Sequence, residues 1–303
     1  MILRRCISAL LVFYCVLSIT FLLVRLIPGG PFDAERKLPA AIERELLAKY
    51  RLNGSLLDQY LDYWKDLLHG DLRISTQYRH RSVSQILSQT LPVTLVLGSL
   101  AFVISLVGGI LLGTLGALYA HSKIDTAILF LILVIMSLPT FVLGPLFILL
   151  FSLWLRWLPL GGWGSPSEIL LPAITLALPS MVTIASLLRD SLENILQENF
   201  IQVARAKGAS PQRLLYYHAL RLALLPVASY SAPLAANLLT GSIVIETIFN
   251  IPGVGAFFLH AILNHDVFLV CGVVILYCGL LILFNLLIDI SYRFLDPRIE
   301  KQF

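Results

Sequence analysis

Six long apolar stretches, separated by shorter polar ones, run along this chain and predict six membrane-crossing helices. The first, at about 7–27, follows Arg4 and Arg5 and is long enough to span roughly 30 Å of hydrocarbon. It carries no small-x-small cleavage site and closes on Arg25-Leu26-Ile27-Pro28-Gly29, so it reads as an uncleaved span rather than a secretory signal. From Phe32 to about Thr90 the pattern turns polar. Within that loop ELLAKYRLNGSLLDQYLDYWKDLLHGDL predicts two amphipathic helices split at Asn53-Gly54, with Leu56, Leu57, Tyr60, Tyr63, Trp64 and Leu67 at helical spacing. The other spans are predicted at about 92–119, 124–155, 170–188, 222–249 and 268–292. Pro92 suits the first turn of the second, in which Gly109 and Gly113 are spaced for close helix approach. Pro139 or Pro145 would kink the third; Pro172 and Pro179 lie in the fourth, and Pro226 and Pro233 repeat their spacing in the fifth.

Between the fourth and fifth spans stands ENFIQVARAKGASPQRLLYYHALRLALLP, residues 198–226. Arg205, Lys207, Arg213 and Arg221 make it basic, while Phe200, Ile201, Val203, Leu214 and Leu215 give it an apolar side. Gly208 supplies the left-handed residue that ends a helix, and Ser210-Pro211 supplies a cap and a first helical residue for the next. The stretch therefore predicts helix, tight turn, helix, at a membrane surface.

Composition sharpens the picture. Of 303 residues 58% are hydrophobic and 13% charged, and the mean hydropathy is +0.85. Soluble domains carry about twice that charged fraction, so membrane lipid is the expected solvent. The net charge of +4 matters through its placement. With both termini in the cytoplasm, Arg4, Arg5, Lys123, Arg189, Arg205, Lys207, Arg213, Arg221, Arg293, Arg298 and Lys301 all fall inside, and the outer loops after spans three and five hold only Arg156. Dispersed basic residues without interleaved aromatics exclude a nucleic-acid surface. Cys6, Cys15, Cys271 and Cys278 lie in apolar runs and form neither a disulfide framework nor a zinc spacing.

Ala204-Arg205-Ala206-Lys207-Gly208, followed by Leu225-Pro226, resembles the cytoplasmic loop of permease subunits of binding-protein-dependent ABC importers. That loop is usually written E-A-A, three residues, G, then a distant I-x-L-P; the peptide and nickel branch has the A-R-A-K-G form found here. RLIPGGP at residues 25–31 resembles the end of that branch's first span, with Gly30 where the family commonly has Asp. The outer loop through HGDL, the run TGSIVIETIFNIPGVG from Thr240 to Gly255, and Asp296-Pro297 are similar too, and the likeness runs closest to the oligopeptide permeases. The resemblance implies the type I ABC importer permease fold: six transmembrane helices and a cytoplasmic coupling-helix hairpin at about 190–222. Residues 1–91 would be the first span and a periplasmic helical loop, and 92–303 a five-helix core. Phe200, Ile201, Val203, Ala204, Arg205, Ala206, Lys207, Gly208, Ser210, Pro211 and Leu214 would then dock an ATPase. The implied assembly, in a bacterial cytoplasmic membrane, adds a second, non-identical permease, two ATPase subunits that hold ATP and Mg²⁺, and an external peptide-binding protein. Oligopeptide uptake is the expected function; a dipeptide or nickel importer of the same family and an ATP-independent six-span channel are the alternatives. The plain alternative for the loop is a basic segment that only anchors the chain.

No catalytic constellation competes with transport. GxxxxGK[ST], HExxH and GxSxG are absent, so neither an enzyme nor a resident nucleotide, cofactor or metal is expected. His260 and His265 lack the further ligands a metal needs. Glu246 is the main ionisable residue within a span and either lines the outer mouth of a pathway or, the favoured reading, holds a structural pair; Asp289 is expected to pair with a nearby base. Pro139, Pro179, Pro226 and Pro233, with Gly241 and Glu246, are the candidates for a gated pathway, because proline weakens local helix bonding.

Overall fold

The structure, a computed structural model, describes residues 2–26, 53–78 and 80–295, with side chains over 7–26, 53–78, 80–210 and 212–287. Gly30 and the rest of RLIPGGP beyond Leu26, the first outer-loop helix, Asp296-Pro297 with the tail, and the side chains of Arg4, Arg5, Cys6, Pro211 and Asp289 lie outside those ranges. Among the described residues the chain is helical, with one isolated antiparallel bridge between Ile74 and Ser82. The helices are α1 Ile2–Leu26, α2 Leu56–Leu68, α3 Val83–Leu118, α4 Lys123–Ser137, α5 Thr140–Phe147, α6 Pro166–Leu196, α7 Asn199–Ala206, α8 Leu220–Leu239, α9 Ile243–Ile248, α10 Val254–Leu263 and α11 Val267–Leu295. π-Helical turns at Ile148–Trp154 and Leu214–Ala219 extend α5 and lead into α8.

Among the described residues five helical stretches can cross a membrane by length and composition, and a sixth is added where the bent pair α4–α5 counts as one span. Three boundaries differ from the sequence reading. α3 begins at Val83, so Pro92 lies inside it rather than in its first turn. The extension forms because Val83, Ile86 and Leu87 are buried there, and this packing outweighs the one hydrogen bond proline removes. The third span is two helices meeting at 108°, with Pro139 capping the second and Pro145 inside it. The fifth span ends at Leu239: Gly241 turns at φ +87°, and Ser242 caps α9 by accepting a bond from the Ile245 amide at 3.3 Å.

The chain forms two compact units, Met1–Val93 with Pro252–Ile282, and Thr94–Ile251 with Leu283–Phe303. In the first, α2 starts with a reciprocal Ser55–Asp58 capping box and packs on α1. Tyr14 stacks on Trp64 at 5.2 Å, Phe21 meets Tyr60 and Tyr63 at 5.4 Å, and Arg25 bonds Gln59. That last bond makes Gln59 the buried residue of α2, whereas Leu56 and Leu57, expected on its apolar face, are exposed. Buried Asp266 caps α11 through the Leu269 amide and accepts from Ser75, which fixes the 71–78 loop.

The second unit is built around α6, whose run from Leu171 to Leu192 supplies thirteen buried residues. Gly109 and Gly113 let α3 lie directly on it: a β-carbon at these positions would stand 2.6 Å from Ile184 and from the Ala185 carbonyl. Ile128, Ile132 and Ile135 of α4 pack against Leu178, Val182 and Ala185 on another side.

Candidate functional site

The 198–226 stretch folds as the helix, turn and helix its sequence predicts. α7 ends at Ala206 with Lys207 as its C-cap, Gly208 takes φ +85°, and the amides of Gly208 and Ala209 close the turn on the Arg205 and Ala204 carbonyls at 3.0 and 3.2 Å. Ser210 accepts from the Arg213 amide at 3.4 Å and its carbonyl receives the Leu214 amide at 3.0 Å, with Pro211 as first helical residue. Ile201, Leu214 and Leu215 are buried, and α7 lies against the π-helical turn 214–219. On the other side Phe200 and Val203 remain 44% and 54% exposed, alongside exposed Arg205, Ala206, Lys207, Gly208 and Ser210 and half-buried Ala204. The eleven candidate positions thus separate into an inner pair, Ile201 and Leu214, and an outer apolar–basic face; Pro211 is placed by its backbone alone.

The pathway candidates occupy breaks and helix interiors. Pro139 stands exposed at the 108° bend. Pro179 stays within α6, and Pro226 and Pro233 within α8, without ending either helix. Gly241 and Glu246 come together. Glu246 is fully buried and accepts from the Thr94 hydroxyl of α3 at 2.9 Å, and a β-carbon on Gly241 would lie 2.8 Å from its Oε1. The carboxylate therefore anchors α9 to the second span.

Sequence reasoning missed a buried ionic cluster. Arg189, 9% exposed in α6, holds Asp125 of α4 in a two-point pair, Nε to Oδ1 at 2.7 Å and Nη2 to Oδ2 at 2.8 Å. Its Nη1 reaches Asp190 at 3.0 Å and Glu193 at 3.2 Å, and Asp125 also accepts the His121 amide at 3.0 Å. The charge pattern along the chain groups Arg189 only with the inner loops. The available signal was an aspartate in the first turn of one span and an arginine near the end of the next. Among the described residues no group of three His, Cys, Asp or Glu side chains is placed to hold a metal ion.

Apolar helices long enough to cross a membrane, with α3 and α6 packed directly through glycine, and an exposed apolar–basic hairpin between α6 and α8 define a helical membrane permease core of the type I ABC importer fold. Residues 109–301 match the family of binding-protein-dependent transport system inner membrane components, and the chain belongs to that family. The oligopeptide transport system permease protein OppB of Escherichia coli K12 is 40% identical over 301 residues, 99% of this chain and 98% of that protein. The dipeptide transport system permease protein DppB of Bacillus subtilis is 38% identical over 283 residues, covering 93% and 92%. The inward-facing MetNI methionine ABC transporter superposes with a TM-score of 0.54 at 18% identity over 70% of this chain and 96% of that one, which shows the fold.

Proposed function

We propose that this chain is a non-catalytic permease subunit of an ATP-driven importer that takes up oligopeptides delivered by an external binding protein. The observation that carries the reading is 40% identity, over nearly the full length of both chains, to an oligopeptide permease. The exposed hairpin face supports the rest: Phe200, Val203, Ala204, Arg205 and Lys207 offer a partner an apolar patch ringed by charge. In this reading the partner is one of two ATPase subunits, which bind ATP and Mg²⁺ on their own chains. A second permease completes the membrane portion, and both termini of this chain lie in the cytoplasm.

ATP draws the two ATPases together and carries the hairpin with them. Buried Ile201, Leu214 and Leu215 make the hairpin move as one piece, so displacement passes into α6 and α8. The bend at Pro139, the prolines of α6 and α8, and the Gly241–Glu246 junction are where segments pivot to open the cavity outward. Inverting a 1:99 preference between two states takes about 5.5 kcal/mol of bias, which nucleotide binding and hydrolysis supply.

The test is a reconstituted complex of both permeases, the ATPases and the loaded binding protein in liposomes. ATP-dependent accumulation of a tetrapeptide, together with crosslinking from Val203→Cys to the ATPase, is expected. Flux unaffected by removing ATP, or no such crosslink, would overturn the proposal. A dipeptide cargo is the second reading, favoured by the 38% identity to a dipeptide permease; preferential accumulation of a dipeptide over the tetrapeptide would select it.

A further inference from the structure

We propose that Arg189 is the joint that passes hairpin motion to the third apolar segment, a positioning role that rests on the hairpin being the ATPase handle. From Arg189, α6 runs without glycine or proline to Leu196, about 10 Å at helical rise, and the hairpin begins three residues later. A displacement of α7 therefore enters α6 through the two-residue turn Gln197–Glu198, whose amides close on the Asn194 and Ile195 carbonyls at 3.2 and 3.1 Å, and reaches Arg189 along a stiff rod. There the guanidinium grips Asp125 at two points, 2.7 and 2.8 Å, which fixes orientation as well as distance. The opposite side of its stem is braced: a β-carbon on Gly116 of α3 would lie 3.2 Å from Arg189 Cδ. Asp190 and Glu193 hold the third nitrogen, so the arginine cannot rotate away from α4 without breaking four bonds at once.

Asp125 sits in the first turn of α4, whose far end is the 108° bend at Pro139. Beyond it α5 meets α9, where a β-carbon on Gly144 would lie 3.2 Å from Ile248. A pull on Asp125 is thus delivered along α4 to a hinge, and beyond the hinge to the helix that carries Glu246.

Arg189→Lys keeps the charge and loses the two-point grip; Asp125→Asn keeps the shape and loses the charge; Asp125→Glu keeps the carboxylate. Each is assembled with the ATPases, the second permease and the binding protein in liposomes. Three readings are taken: hairpin-to-ATPase crosslinking from Val203→Cys, ATP hydrolysis, and tetrapeptide carried per ATP. Lys and Asn should leave crosslinking and hydrolysis in place while peptide per ATP falls by about two- to thirtyfold, the span of coupling mutations. Glu should recover most of it. Wild-type yield per ATP in Arg189→Lys and Asp125→Asn, or hydrolysis and uptake falling in equal proportion, would overturn the joint. So would failure of both variants to insert, which would make the cluster a folding element. Absence of the crosslink in the wild-type chain would instead remove the handle itself.

Discussion

Gly208 turns through φ +85° with no atom within 4 Å of where a β-carbon would stand, so what a substitution meets there is backbone strain alone. A left-handed residue other than glycine costs about 1–2 kcal/mol, more when β-branched and less for asparagine. Gly208→Asn should therefore keep uptake close to wild type, and Gly208→Val or Gly208→Pro should abolish it while the protein still inserts, measured as peptide accumulation against membrane-fraction yield. Gly241 is the opposite case: at φ +87° its β-carbon would also stand 2.4 Å from the Thr94 methyl and 2.8 Å from Glu246. Gly241→Ala should lose folded protein, whereas Glu246→Gln keeps an acceptor for Thr94 and should be mild; Glu246→Ala leaves that hydroxyl buried, at about 1–3 kcal/mol. These residues differ in how readable they were. Gly208, Ser210 and Pro211 act on neighbours a few positions away, so the sequence shows the turn. Arg189 and Asp125 are sixty-four positions apart, and only packing brings them together.

The hairpin is an element with two sides, and its residues should respond by side. Ile201→Ala and Leu214→Ala open cavities at buried sites, each at about 2–5 kcal/mol, and should lower thermal stability and expose the turn to proteolysis. Phe200→Ala removes an exposed group and should leave stability within about 0.5 kcal/mol. Its effect should appear instead in co-purification of the ATPase. Periodicity found all six apolar segments because each is a continuous run of about the bilayer's thickness. It misplaced three boundaries for local reasons. Pro92 signals a helix start, but Val83, Ile86 and Leu87 bury the turns before it. The third and fifth runs are unbroken in hydropathy, yet Pro139 and Gly241 break the backbone without interrupting the apolar pattern.

Across the molecule, that break in the third run decides the topology. Two helices meeting at 108° are either one crossing with a bend or a re-entrant loop that returns to its starting face. Length and composition permit both, and the ion pair discriminates. Asp125 opens α4 and Arg189 lies two turns from the end of α6, and at 2.7 Å these two helix ends share one level. α6 is long enough to cross, so its beginning lies at the other level; the chain reaches that beginning from Asp125 only by passing α4 and α5 through the membrane. Lys123 and Lys207, both exposed, should therefore face the same side, and Trp157, 70% exposed between α5 and α6, the other. In a background with the native cysteines replaced, Lys123→Cys and Lys207→Cys should react with an impermeant maleimide only in inside-out vesicles, and Trp157→Cys only in right-side-out ones. A re-entrant pair would put Lys123 and Trp157 on one face with Lys207 opposite, and would leave five crossings with the termini on different sides. The basic residues argue against that arrangement as well. Lys123 would join Arg156 on the outer surface, apart from the Arg205–Arg221 cluster with which the positive-inside rule groups it.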